Sequence, residues 1–211
     1  MKTGNVSAVE GLRRLQEGNQ RFASNVRSIA ALASQQHRAD LVHGQAPFAV
    51  VLGCSDSRAP AELVFDQGLG DLFVIRVAGN IVAPSQVGSV EFAVERFGIR
   101  LVVVMGHTGC GAIGATLEAM EHPDEPQSRN LLSIVDRIRP SLAPLVEDSS
   151  VSVDRKMLER RAVRANVRAS SDHLRHGSRI LEQMALNDGL VVIGSVYDLE
   201  SGVVDFFDGV P

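Results

Sequence analysis

Four short, predominantly apolar runs constrain this chain most: Pro47–Gly53, Leu72–Val77, Leu101–Met105 and Leu190–Val196. Each has the length of a single strand, and none alternates apolar with polar residues. A strand apolar at nearly every position is buried on both faces, as in a parallel sheet covered by helices on each side. Between the runs the apolar spacing turns helical. Val87, Val90, Val94 and Phe97 mark Gln86–Phe97, and Ile113, Leu117 and Met120 mark Ala112–Met120. Leu131–Leu145 and Met157–Leu186 read as longer helical stretches, the first broken up by Pro140 and Pro144. A weaker segment, Val203–Phe206, has the look of an edge strand. The expected fold is α/β, a central mostly parallel sheet of four strands plus an antiparallel edge strand, flanked by helices.

A chain of 211 residues suits one domain with a real core, here residues 1–211, led by a helical arm over about residues 1–45. The arm carries an amphipathic helix at Ala8–Phe22, a polar connector and a short helix around Gln35–Val42. No apolar run approaches the ~18 residues of a membrane span, and Met1–Asn5 leads straight into the first helix without a signal peptide. A soluble, cytoplasmic protein is expected. The net charge of −4 argues against a general nucleic-acid binder. The local exception, Arg155 through Arg179, repeats arginine at helical spacing and reads as a solvated helix face or, less simply, a partner surface.

In an open parallel sheet, ligands gather beyond the carboxyl ends of the strands. After the first run stands Cys54-Ser55-Asp56-Ser57-Arg58, and after the third Gly106-His107-Thr108-Gly109-Cys110-Gly111. Both of the chain's cysteines therefore fall where this fold places its chemistry. A cytosolic chain keeps such cysteines for metal or catalysis more often than for a disulfide.

Gly109-Cys110-Gly111-Ala112-Ile113-Gly114 also matches the dinucleotide fingerprint G-x-G-x-x-G between a strand and a helix. That fingerprint needs a second strand ending about 20 residues on in an acidic residue. Here Asp124-Glu125 sits in a proline-flanked turn and helical sequence follows, so the reading fails. Zinc accounts for more residues at once. It takes thiolate sulfur and imidazole nitrogen in a tetrahedron, and three protein ligands leave one position open. Cys54, His107 and Cys110 supply that set, and the glycines let the backbone turn around it. A closed structural site with Asp56 as fourth ligand is the competing reading.

Together, Cys54-x-Asp56-x-Arg58, Arg76-Val77-Ala78-Gly79-Asn80 and His107-x-x-Cys110 resemble the β-class carbonic anhydrases, and the likeness runs over nearly the whole chain. The resemblance implies a zinc lyase in which zinc hydroxide attacks carbon dioxide to give bicarbonate and a proton, reversibly. It implies a homodimer or a dimer of dimers. Asp56 then either orients the hydroxide or acts as a conditional fourth ligand, and Arg58 is the partner that holds it off the metal. Gln45 aligns with a substrate-binding glutamine often lent by the neighbouring subunit. Gly111 would offer its N–H to bicarbonate, and Phe73, Ala78 and Phe92 would form an apolar pocket for carbon dioxide. Two thiolates neutralise Zn²⁺, so the activity is expected to need mildly alkaline pH.

The chain departs from the family's regulatory bicarbonate site of Arg, Tyr and Trp: Arg76 and Tyr197 are present, but Val51 stands at the tryptophan position. The histidines outside the motifs (His37, His43, His122, His173, His176) identify no proton shuttle. The same zinc scaffold also serves hydrolases of carbonyl sulfide or carbon disulfide, and a non-catalytic zinc-dependent interaction protein is the alternative from another class.

Overall fold

The apolar runs become β1 (Ala49–Gly53), β2 (Leu72–Arg76), β3 (Leu101–His107) and β4 (Val191–Tyr197), with β5 (Val204–Asp208) after them. The structure, a computed structural model, describes residues 6–26, 28, 35–147 and 154–211. Much of the expected connector in the arm, and residues 1–5, lie outside the described residues. The sheet order is β2-β1-β3-β4-β5, with every pair parallel except β4 and β5. β1 and β3 are buried at every position, as their continuous apolar sequence requires.

Val50, Leu52, Val102 and Val104 face one helical layer: α4 (Pro84–Phe97), α5 (Gly111–Glu121), α6 (Arg129–Glu147), α7 (Arg155–His176) and α8 (Arg179–Asp188). Val51, Val103, Met105 and Ile193 face the other side, against α1 (Ala8–Ala23) and α3 (Ala61–Val64). The short α2 (Gln35–Leu41) precedes β1. Buried Asn19 ties α1 down: its amide donates to Val64 O (3.2 Å) and Gly202 O (2.9 Å) and accepts from Val204 N (2.8 Å).

Two helical expectations need correction. Pro140 and Pro144 do not break up the stretch they occupy, for both lie inside continuous α6. They are four residues apart on its exposed face, where the carbonyls that lose their partners are open to solvent, while Val135, Ile138 and Leu142 anchor the buried face. Conversely, Met157–Leu186 is not one helix. It divides at Gly177-Ser178, because Ser178 caps α8 by accepting from Leu181 N and donates its hydroxyl to Glu91 (2.6 Å).

Arg155, Arg160, Arg161 and Arg168 of α7 are exposed, as a solvated face requires, whereas two arginines of the same helix turn to the sheet edge. Arg164 pairs with Asp205 of β5 (2.6 Å) and lies over the Phe207 ring at 3.8 Å. Arg175 pairs with Asp208 (2.8 Å) and donates to Val192 O. These contacts seal the antiparallel edge of the sheet to its helical layer. Among the described residues no helix is long and apolar enough to cross a membrane.

The sheet order also locates the site. From β1 the chain moves to β2 on one side, then crosses back to β3 on the other. The carboxyl ends of β1 and β3 therefore flank the topological switch point, where the connections diverge and leave a crevice.

Candidate metal centre

Cys54 follows the last residue of β1, His107 ends β3, and Cys110 caps the N-terminus of α5. Their ligand atoms all lie within 4.8 Å of one another, and all three residues are buried. Cys54 Sγ and Cys110 Sγ are 4.0 Å apart. Two thiolates on tetrahedral zinc would stand about 3.8 Å apart, from Zn–S bonds near 2.3 Å. The site thus has the metal's dimensions.

Two further observations test the fit. His107 Nδ1 lies 3.0 Å from Thr108 O, which accepts its N–H and leaves Nε2 as the free lone pair. That Nε2 is buried without a hydrogen-bond partner, an expensive arrangement for a group with no ligand to bind. The thiols supply the second test. The hydrogen bond from the Cys110 thiol pulls Cys54 well down; burial opposes this, and His107 and the N–H groups of Asp56 and Gly79 add to it. The same contact pushes Cys110 well up, since a second buried negative charge is penalised by the first. A cation between the two sulfurs would favour both thiolates together. Burial lowers His107, but the neighbouring Cys54 sulfur, Thr108 O and the Asp56 charge together leave the net direction upward.

Asp56 reaches this group from the turn after β1. Its carboxylate accepts from Arg58 Nε (2.9 Å) and Nη2 (2.7 Å), a two-pronged pair, and from Arg58 N. The hydrogen bonds from the Arg58 side chain hold its carboxyl well below the usual range, so it is ionised. The same Asp56 Oδ2 lies only 3.8 Å from His107 Nε2. Arg58 in turn donates to Gly109 O (3.1 Å), linking the β1 turn to the β3 turn.

Arg76 has a role that its sequence position did not suggest. Its guanidinium donates to Cys54 O (3.0 Å) and Asp56 O (2.6 Å), fixing the backbone that carries both residues. Val51 is fully buried and Tyr197 nearly so, with its ring edge-on to Phe22.

The remaining candidates fall in two groups. Ala78 opens the turn after β2, beside Gly79, whose N–H meets Cys54 Sγ at 3.4 Å. Gly111 is the first residue of α5, and space is open around it. Gln45, by contrast, is exposed ahead of β1, at the opposite end of that strand from Cys54. Phe73 lies three residues before the end of β2, about 10 Å of strand short of the turn. It clusters with Phe97 and with Phe92, which is 54% exposed. One chain does not bring these three to its own cysteine–histidine group.

The fold and site define an α/β protein with a buried two-cysteine, one-histidine metal group at the switch point of a parallel sheet. A family model described as carbonic anhydrase matches residues 49–204. Carbonic anhydrase 2 of Mycobacterium tuberculosis is 38% identical over 198 residues, 94% of this chain and 92% of that protein. A Pseudomonas aeruginosa carbonic anhydrase is 39% identical, over 78% of this chain and 75% of its own length. Among solved structures, a β-carbonic anhydrase of Aspergillus fumigatus superposes with a TM-score of 0.74 at 27% identity, covering 92% of this chain and 88% of that one. A tetrameric β-carbonic anhydrase of Sordaria macrospora gives 0.73 at 26%, covering 82% and 87%. This chain belongs to the β-class carbonic anhydrases, lyases that interconvert carbon dioxide and bicarbonate.

Proposed function

We propose that this chain hydrates carbon dioxide at a zinc ion held by Cys54, His107 and Cys110, with Asp56 and Arg58 as the working polar pair. The observation that carries the reading is the unpartnered, buried His107 Nε2 facing two thiols at zinc-like spacing. Bound there, zinc supplies a Lewis acid that makes hydroxide available from water near neutral to mildly alkaline pH.

The chain's own residues do the rest. Asp56, ionised and latched by Arg58, is an acceptor that orients the attacking oxygen toward the carbon of carbon dioxide. Released from Arg58, it needs little movement to reach the metal position, given its 3.8 Å approach to His107 Nε2. Arg58 therefore selects between orienting and blocking. The Gly111 N–H, at the start of an eleven-residue helix, suits the negative charge of bicarbonate. Ala78 supplies apolar wall beside Cys54.

Gln45, Phe73 and Phe92 serve the site of a second copy in this reading. Gln45 is exposed at the far end of β1, and exposed Phe92 packs on Phe73 of an edge strand, which supports a role across a subunit boundary. The protein would work as a homodimer or a dimer of dimers, in the cytoplasm, where thiolate ligands stay reduced. Val51 in place of tryptophan, and Arg76 engaged on the Cys54–Asp56 backbone, both speak against regulation through a bicarbonate pocket of the Arg–Tyr–Trp type.

Stopped-flow hydration of carbon dioxide at mildly alkaline pH, with zinc measured by elemental analysis, tests the proposal. The protein should carry one zinc per chain and turn over carbon dioxide faster than carbonyl sulfide, while Cys54→Ala does neither. Absence of zinc, or of turnover in the zinc-loaded protein, overturns it.

A further inference from the structure

The turn that follows β2 takes the left-handed conformation at two successive positions, Gly79 (φ 66°) and Asn80 (φ 43°), the residue types that adopt it most readily. A Cβ on Gly79 would stand 2.7 Å from Ile138 Cδ1 and 3.1 Å from Ala112 Cβ, so the turn is also pressed between α5 and α6. Two side chains of α7 hold it. Asn166 Nδ2 donates to Gly79 O at 2.7 Å, and Ser170 Oγ donates to Asn80 O at 3.0 Å, both buried. They are four residues apart and so lie on one face of α7. The consequence appears on the other side of the same turn, where Gly79 N–H points at Cys54 Sγ, 3.4 Å away.

We propose that Asn166 and Ser170 are positioning residues for the metal thiolate: from α7 they hold the Gly79–Asn80 turn so that the Gly79 N–H stays aimed at Cys54 Sγ. The inference rests on the reading of Cys54 as a metal ligand. A hydrogen bond to a ligating sulfur draws charge from it, lessens its donation to the metal and leaves the metal a stronger Lewis acid. Neither α7 residue touches a ligand. Each acts through the backbone that joins β2 to α4.

Cobalt(II) substituted for zinc reports on this directly, because the thiolate-to-cobalt charge-transfer band moves to lower energy when a sulfur loses a hydrogen-bond donor. Asn166→Ala and Ser170→Ala should each shift that band to lower energy than in the parent. Leu174→Ala, one turn further along α7 and buried in the core, should lower thermal stability and leave the band in place. Ser170→Ala loses only one hydroxyl and keeps the test available should Asn166→Ala fail to fold. If the parent binds cobalt and the clamp variants match its band, the clamp is overturned and the metal reading stands. If the parent binds no cobalt or zinc, the metal reading falls and the clamp with it.

Discussion

Two glycines stand immediately before metal-ligand positions, and adding one methyl group to each should have opposite results. Gly53 ends β1 before Cys54, and Gly106 precedes His107 in β3. A Cβ on Gly53 would meet Met105 Cε at 3.8 Å and Met105 O at 3.9 Å, ordinary contact distances. A Cβ on Gly106 would meet Val167 Cγ2 at 2.6 Å and Val163 Cγ1 at 3.1 Å. Carbon atoms pack at about 3.5–4.0 Å, so β3 or α7 must move by roughly 1 Å. The valines cannot turn aside, because a β-branched side chain in a helix has essentially one χ1 rotamer. Overpacking of this kind costs about 1–3 kcal/mol. At about 2 kcal/mol, a chain of this size loses roughly 4–8 °C in Tm. Gly53→Ala should stay within about 0.5 kcal/mol of the parent.

Urea unfolding at one fixed protein and zinc concentration measures both, since metal and partner binding each shift apparent stability by mass action. A double-mutant cycle isolates the contact. Val167→Ala removes the methyl group nearest the added Cβ, so it should destabilise the parent yet relieve Gly106→Ala. The double variant should be more stable than the sum of the singles by about 1–2 kcal/mol. Gly106→Ala as stable as Gly53→Ala, or strict additivity in the cycle, would refute the idea that glycine sets the β3–α7 spacing and, through it, the place of His107.

Three further outcomes concern the Asp56–Arg58 pair, buried Asp66 and the metal. Arg58 holds the Asp56 carboxyl below its usual range, so the pair's contribution is complete above the unfolded value near 3.9 and is lost as pH falls toward the depressed folded value. The stability gap between the parent and Arg58→Ala should therefore be flat from neutral pH to about pH 5 and close below about pH 4; a gap that widens on acidification contradicts the pairing. Asp66, buried with φ 47°, accepts from Arg21 Nε at 2.6 Å and from Ser28 N at 3.0 Å. Asp66→Ala should cost about 2–4 kcal/mol in urea unfolding, at the lower end because partly exposed Arg21 can rehydrate, and a loss under about 0.5 kcal/mol would deny it an anchoring role. Stripping zinc with a chelator should remove about 2.7 kcal/mol relative to zinc at 100 times its Kd, roughly 5–11 °C in Tm; Cys54→Ala should show no response to zinc, and an equal response would refute its place as a ligand.

The parts of this protein that were legible in the sequence are those where one local pattern settles one local structure. A run such as Val102-Val103-Val104 has no polar face to turn toward water, so it becomes a strand buried on both sides wherever it falls in the chain. Cys54 and His107 could be paired because the strand-end rule converts sequence position into spatial position. Boundaries were less legible. β3 runs on to His107 because that residue still pairs with Tyr197, a partner ninety positions away. The α6 prolines misled because propensity counts an interior proline as a break, whereas two prolines on the solvent face leave the buried face intact.

The supports of the site were illegible for a stronger reason. Arg76, Asn166 and Ser170 all act on backbone atoms: Cys54 O and Asp56 O, Gly79 O, and Asn80 O. A side chain that binds another side chain at least demands a complementary residue type somewhere in the chain. One that binds a carbonyl demands nothing, because every residue has one. Asn166 therefore reads as any polar residue on a basic helix until the fold brings Gly79 to it across 87 positions. The ligands of a centre like this one announce themselves by chemical type. The residues that aim those ligands do so by geometry, and for them the structure is the first evidence.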